Sequence, residues 1–207
     1  MTLENLLRTG QLKPHAADER ELQRLLDSAQ LALKDATVPV VLDADGINAF
    51  AGRLAALARR KAPLVVTPHP GEAARLLGAS VDEVQSDRVA AARAIARGAN
   101  AVAVLKGYRT LIATPAGPVF VNPTGSPGMA TGGTGDLLTG MIAAWLAQLL
   151  DAEAACQLAV YLHGMAGDLA EADEGEVSMT AGDLAAHIGD AVMELTARRK
   201  VVEKGGA

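Results

Sequence analysis

The stretch Asn122-Pro-Thr-Gly-Ser-Pro-Gly-Met-Ala-Thr-Gly-Gly-Thr-Gly-Asp136 runs straight into Leu137-Leu-Thr-Gly-Met-Ile-Ala-Ala-Trp-Leu-Ala-Gln148. Glycines at 125, 128, 132, 133 and 135 leave the backbone able to take positive φ, so successive N–H groups can converge on an anion. The apolar run that follows predicts a helix starting at the same place. Its first turn turns unpaired N–H donors and the positive end of the helix dipole toward that anion, which suits a phosphate. A carboxylate repels a phosphate unless a metal intervenes or the carboxylate has a proton to take, so Asp136 is predicted to act as a base beside a reacting hydroxyl. The competing role is a helix cap, worth about 1 kcal/mol, but a cap does not call for so many glycines. Neither usual nucleotide signature is present: no G-x-G-x-x-G follows a predicted strand, and no G-x-x-x-x-G-K-[ST] string occurs.

Upstream of this loop the chain alternates strand and helix. Asp18–Asp35 carries leucines at 22, 25, 26, 31 and 33 among charges, a helical spacing. Val38–Leu42 is a continuous apolar run ending in Asp43-Ala-Asp45-Gly46, which predicts a buried parallel strand delivering two carboxylates at its end. Ile47–Lys61 is expected to be helical, Pro63–Thr67 a second buried strand, and Pro68-His-Pro-Gly-Glu72 a rigid loop opening the helix Glu72–Leu77. Ser80–Glu83 has the form of a capping box, with a helix continuing through Ala90–Arg97 into a third strand, Ala101–Leu105. Such alternation predicts an α/β fold with a doubly wound, mostly parallel sheet flanked by helices. Thr110–Thr114 and Pro118–Val121, joined through Pro115-Ala-Gly117, predict an appended antiparallel hairpin. Two helices, Ala152–Glu171 and Ala181–Ala197, close the chain, the second capped by Thr180. Residues 1–17 and the tail 201–207 are expected to be poorly ordered.

With 207 residues, the chain is long enough for one domain with a full core and short for two. Half its residues are apolar but only 2% are aromatic, so the core must be packed from Ala, Val, Leu and Ile. A net charge of −5 argues against a nucleic-acid partner. No run reaches the roughly 18 apolar residues of a membrane span, and no secretory leader is evident, so a cytoplasmic protein without a membrane partner is expected. The single cysteine, Cys156, has no intrachain partner and is expected to be a small core residue.

In an open parallel sheet ligands sit beyond the carboxyl ends of the strands, and the polar motifs all fall there: Asp43 and Asp45, His69 and Glu72, Lys106-Gly107, and the glycine loop with Asp136. Lys106-Gly-Tyr-Arg-Thr110 offers an ammonium, backbone donors and a hydroxyl that suit nucleotide phosphates; a lysine pairing with a carboxylate at a strand end is the other reading. Glu72 suits a divalent cation held through water, or equally a first-turn acid serving the helix dipole. His69, set between Pro68 and Pro70, has little freedom and can hydrogen-bond a substrate, although a lone histidine is more often structural. His15, His163 and His187 read as ordinary helix or loop residues, with His163-Gly164 within possible reach of the site.

Taken together, Val41-Leu-Asp-Ala-Asp45, Thr67-Pro-His-Pro-Gly-Glu72, Lys106-Gly-Tyr-Arg-Thr110 and Asn122–Gly140 resemble one family, the ADP- or ATP-dependent NAD(P)H-hydrate dehydratases of the ribokinase-like superfamily. The resemblance runs from about Pro39 to Val192. It implies repair of NADHX or NADPHX, in which the hydrated nicotinamide ring loses water at the expense of a nucleotide phosphate. By that likeness Asp136 is the catalytic base. His69, Asp45 and Asn122 join it around the hydrate, while Lys106, Gly107, Tyr108, Arg109, Thr110, Gly133, Thr134 and Gly135 bind ADP or ATP. Mg2+ accompanies the nucleotide, with Glu72 near it through water. The family also implies a homo-oligomer, a tetramer, and functional pairing with an NAD(P)H-hydrate epimerase. Members carry further strand–helix units with Gly-Gly and Gly-Pro-Gly segments ahead of the Asp-Ala-Asp strand, whereas here the only glycine before Gly46 is Gly10, so the domain is expected to be N-terminally shortened. Two other readings remain: a ribokinase-like small-molecule kinase, and a nucleotide-binding module without catalysis.

Overall fold

The computed structural model describes residues 19–149 and 151–205; the expectations for residues 1–17 and for His15 lie outside them. In chain order the elements are α1 (Glu19–Asp35), β1 (Val40–Leu42), a single turn α2 (Asp45–Asn48), a 3-10 turn (Leu54–Ala58), β2 (Leu64–Val66), α3 (Pro70–Leu77), α4 (Val81–Ser86), α5 (Arg88–Ala99) and β3 (Val102–Leu105). Then come β4 (Leu111–Ala113), β5 (Val119–Val121), a 3-10 turn (Pro127–Met129), α6 (Thr134–Leu149), α7 (Ala152–Glu174), α8 (Ala181–Ala186) and α9 (Ile188–Gly205).

The five strands form one sheet in the order β1-β2-β3-β4-β5. β1–β2 and β2–β3 pair in parallel, and the predicted hairpin continues the sheet antiparallel through β3–β4 and β4–β5, so the sheet is mixed. Side chains alternate between its faces, as the two-residue period of a strand requires. Leu64, Val66, Ala103, Leu105, Leu111 and Ala113 pack with α3, α5 and the turns after β1. Val65, Val102, Val104 and Ile112 pack with α6, α7 and α8 on the opposite face. The crossover segments lie on the first face and the C-terminal helices on the second, which makes three layers. β2, β3 and β4 are wholly buried, whereas the edge strand β1 is only half-buried.

Three helix expectations need correction. Ile47–Lys61 is not one helix but the turn α2 and a 3-10 turn, because burial of Ile47, Phe50 and Leu57, each 1% exposed, sets the path of the chain ahead of helical continuity. The helix after Ser80 breaks at Asp87, whose side chain accepts the Ala90 N–H at 2.8 Å and so caps a new helix. The last predicted helix divides at His187 and then runs on to Gly205, through part of the stretch read as a tail. Both predicted caps form: Ser80 with Glu83 and Thr180 with Asp183 are reciprocal capping boxes. Cys156 is fully buried in α7, and burial pushes its thiol up to about 12, so it is an inert core residue. Among the described residues no helix is long and apolar enough to cross a membrane.

Candidate active site

The carboxyl ends of β1, β2 and β3 deliver Asp43, the Thr67–His69 segment and Lys106 to one place. Lys106 N donates to Pro68 O at 2.9 Å, and its Nζ lies 2.7 Å from Asp43 Oδ1 and 3.8 Å from Glu72 Oε2. Thr139 Oγ1, one turn after Asp136 on α6, donates to Asp43 Oδ2 at 2.7 Å, so this carboxylate ties the first strand to the glycine-loop helix. Burial pushes the Asp43 carboxyl up, but hydrogen bonds from Lys106, Thr139 and Thr67, together with the Lys106 charge, outweigh that and hold it below the usual carboxylate value. The next residue, Ala44, has φ 48° and ψ −119°, a strained backbone for a residue with a Cβ and of the kind that gathers at functional sites.

His69 is the N-cap of α3. Its Nδ1 accepts from Gly71 N at 3.0 Å and Glu72 N at 3.4 Å, while Glu72 Oε2 accepts from His69 N at 2.8 Å. An Nδ1 that accepts carries no proton, so in the neutral ring the proton is on Nε2, which lies 3.3 Å from Glu72 Oε1. Glu72 is therefore both the first-turn acid and a neighbour of Lys106. Asp43 and Glu72 form an all-oxygen pair, the kind of donor Mg2+ takes through water when phosphates complete its shell. Among the described residues no group of three or more His, Cys, Asp or Glu converges as a direct metal cage.

The glycine loop is held from behind by α7. Gly164 lies so close that a Cβ there would meet the Thr124 backbone at 2.7 Å, which only glycine permits. Asn122 Nδ2 donates to Thr124 O at 2.9 Å and Val160 O at 3.4 Å, and Thr124 Oγ1 donates to Asn122 Oδ1 at 3.2 Å. Thr134 Oγ1 bonds to Met129 O and Thr131 O, and Gly133 turns the chain at φ 93° into the first turn of α6. His163 Nε2 lies 2.9 Å from Thr134 O, which can only accept, so this buried ring carries its proton on Nε2. Burial outweighs that bond and lowers its pKa, leaving it neutral near pH 7.

These groups enclose a cavity of about 720 Å³. His69, Lys106, Gly107, Tyr108, Arg109, Thr110, Asn122, Thr134 and Gly135, all singled out in the sequence, share its wall. Gly133 and Asp136 do not. Asp136 is exposed on the other side of the turn, where it borders an open depression with Leu137, Gly140, Met141 and Ala144 of α6 and Ala181, Gly182 and Ala185 of α8. The residues expected around one hydrate are thus divided: His69 and Asn122 face the cavity and Asp136 the depression. Asp45 lies in α2, exposed, accepting the Asn48 amide at 3.3 Å. Its neighbour Asp43 takes the place in the site, because it follows β1 directly while Asp45 is already inside the next helical turn. The sequence reading missed Thr139 and underused His163, whose spacing in an apolar helix carries no signal of the carbonyl it meets.

The arrangement is that of the ribokinase-like class. A crystal structure of the ADP/ATP-dependent NAD(P)H-hydrate dehydratase from Bacillus subtilis, co-crystallised with ATP and Mg2+, superposes with a TM-score of 0.70 and 37% identity over 84% of this chain and 60% of that one. A ribokinase-like superfamily protein from Enterococcus faecalis superposes with a TM-score of 0.66 and 30% identity, covering 86% and 60%. Residues 19–189 match the NAD(P)H-hydrate dehydratase family, and the chain belongs to it. It is 46% identical over 151 residues to the ADP-dependent (S)-NAD(P)H-hydrate dehydratase of Neisseria meningitidis, and 50% identical over 159 residues to the bifunctional NAD(P)H-hydrate repair enzyme Nnr of Moorella thermoacetica. The chain spans 51% of the first relative's length and 30% of the second's.

Proposed function

We propose that this chain carries out nucleotide-dependent dehydration of NAD(P)H hydrate, converting ADP to AMP and phosphate, and thereby repairs damaged nicotinamide cofactor. The observation that carries this reading is the division at the Gly133–Asp136 turn: Thr134 and Gly135 line the deeper cavity, while Gly133 and Asp136 line the shallower, more open depression. A nucleotide in the cavity, with its phosphates on Lys106 and the first turn of α6, would present its terminal phosphoryl group at the wall beyond which Asp136 waits.

Asp136 takes the proton of the hydrate hydroxyl, whose oxygen then attacks the terminal phosphorus. That attack displaces AMP, and the resulting phosphate ester is a far better leaving group than hydroxide, so phosphate departs as the adjacent ring carbon gives up a proton to solvent and the dihydropyridine ring is restored. Lys106 and the N–H groups around Gly133–Gly135 bear the charge developing on the transferred group. Mg2+, held through water by Glu72 with Asp43 beside it, would supply further charge neutralisation. A cytoplasmic location, a homo-tetramer and work alongside an NAD(P)H-hydrate epimerase complete the reading. The last is supported by relatives named as bifunctional repair enzymes.

The test is recovery of absorbance at 340 nm when the purified chain is added to NADHX with Mg2+ and either ADP or ATP. Recovery that requires a nucleotide supports the reading. Accumulation of a stable phosphorylated product would make the protein a kinase, and nucleotide binding without turnover would make it a binding module.

A further inference from the structure

Arg88 is the first residue of α5, where the helix dipole disfavours a cation, and its Nε is buried without a hydrogen-bond partner. Local helix chemistry does not account for this placement. What the side chain does is reach the loop after β3: Nη2 donates to Leu105 O and Lys106 O, each at 3.2 Å, and Nη1 donates to Tyr108 O. Two further carbonyls of that loop are also committed. Gly107 O accepts from Thr110 Oγ1 at 3.1 Å, and Thr110 O accepts from Asn122 N at 2.9 Å. By contrast, the N–H groups of Gly107, Tyr108 and Arg109 make no hydrogen bond among the described residues. The chain reaches this state through left-handed backbone at Gly107, φ 131°, and Arg109, φ 52°. A Cβ at Gly107 would lie 3.1 Å from Arg88 Nη2, so the guanidinium and the glycine fit as a pair.

We propose that Arg88 is a positioning residue for the nucleotide: its guanidinium gathers three carbonyls of the Leu105–Tyr108 segment, which keeps the Gly107–Arg109 amides available to phosphate oxygens in the cavity. The proposal rests on the nucleotide reading of that cavity. Successive unspent amides in such a turn form an anion-binding concavity, and a carbonyl rotated among them would repel the same anion. Arg88 lines no part of the cavity, so it acts through the loop alone. The guanidinium fork reaches these carbonyls from two separate nitrogens, whereas an ammonium has all its donors on one.

The experiment compares the unaltered chain with Arg88→Ala and Arg88→Lys by calorimetric titration with ADP and Mg2+, and by steady-state kinetics with NADHX. Arg88→Ala is expected to weaken ADP binding at least tenfold and to raise the KM for ADP in step. The kcat at saturating ADP and the KM for the hydrate should stay within threefold, and Arg88→Lys should fall between the two. A merely structural role would lower thermal stability without this split. A folded Arg88→Ala that binds ADP within twofold of the unaltered chain overturns the proposal, as does an equal rise in both KM values. If Arg88→Ala does not fold, the Arg88→Lys titration decides by the same criterion. If the unaltered chain binds no ADP, the nucleotide reading itself falls, which is a separate result from a loss confined to the variants.

Discussion

On the cavity side of the Gly133–Asp136 turn three polar side chains are already committed to protein partners, while the Gly107–Arg109 amides stay unpaired among the described residues. Lys106 is clasped by Asp43 and Glu72, Asn122 spends its amide on Thr124 and Val160, and His163 holds the Thr134 carbonyl. On the other side Asp136 stands exposed over an apolar depression and makes no hydrogen bond or ion pair among the described residues. The contrast matches two different tasks. A binding wall works best when its groups are fixed before the ligand arrives, because ordering them later costs affinity. A base has to keep its lone pairs available for a proton.

The comparison is broken most directly by Asp136→Asn. Removing the proposed general base should lower NADHX turnover by roughly 10²–10⁴-fold, while ADP affinity, measured by calorimetry, stays within threefold. A parallel loss of ADP binding would place Asp136 in the nucleotide wall instead. Lys106→Ala attacks the committed side. Loss of a charged hydrogen bond worth about 1.5–3 kcal/mol should weaken ADP binding by about 10–150-fold.

Asp43→Asn should cost about 2 kcal/mol of stability at pH 7, since it weakens two charge-assisted bonds. The Asp43 carboxyl titrates lower in the folded chain than in the unfolded one. Its contribution is therefore full above the unfolded value near 4 and is lost as pH falls through the folded value. Urea unfolding at pH 7 and at pH 3 should show the gap between the two proteins closing in acid.

Gly133→Ala probes the turn itself. It places a Cβ at φ 93° and 3.1 Å from that of Ala181, and should cost about 1 kcal/mol or somewhat more by the same urea measurement. The smallest effect lies at the C-terminal end of α8, beyond the residues that line the depression. His187 Nδ1 lies 2.9 Å from Asp183 O, and its Nε2 lies 3.1 Å from Asp173 Oδ2; the Asp183 carbonyl first, then Asp173, raise its pKa. That stability is present below about pH 6.5 and lost as pH rises through the folded value. Asp173→Asn should remove only the Asp173 part of it, less than about 0.5 kcal/mol, with activity unchanged.

Much of this was legible in the chain because it depends on local chemistry. The apolar runs at β1, β2 and β3, the caps at Ser80 and Thr180, and the glycine loop opening α6 all follow from neighbours within a few residues. So did the gathering of Lys106–Thr110, His69, Thr134 and Gly135, since the ends of parallel strands share an edge. The choice of Asp43 over Asp45 was not legible. Both stand in one short string, and only the point at which β1 stops decides which of them meets Lys106. Thr139 and His163 were hidden for a related reason: their partners lie 96 and 29 residues away.

By itself, then, the sequence determined an α/β chain with its chemistry at one sheet edge, because strand periods, turn residues and caps act over short range, and its motifs carried the resemblance to the NAD(P)H-hydrate dehydratase family. The tertiary structure alone decided which residues face each other across the Gly133–Asp136 turn. The crossing of α6 and α7 over the sheet puts Asp136 on one side and Lys106 on the other. No spacing along the chain encodes the side of a wall.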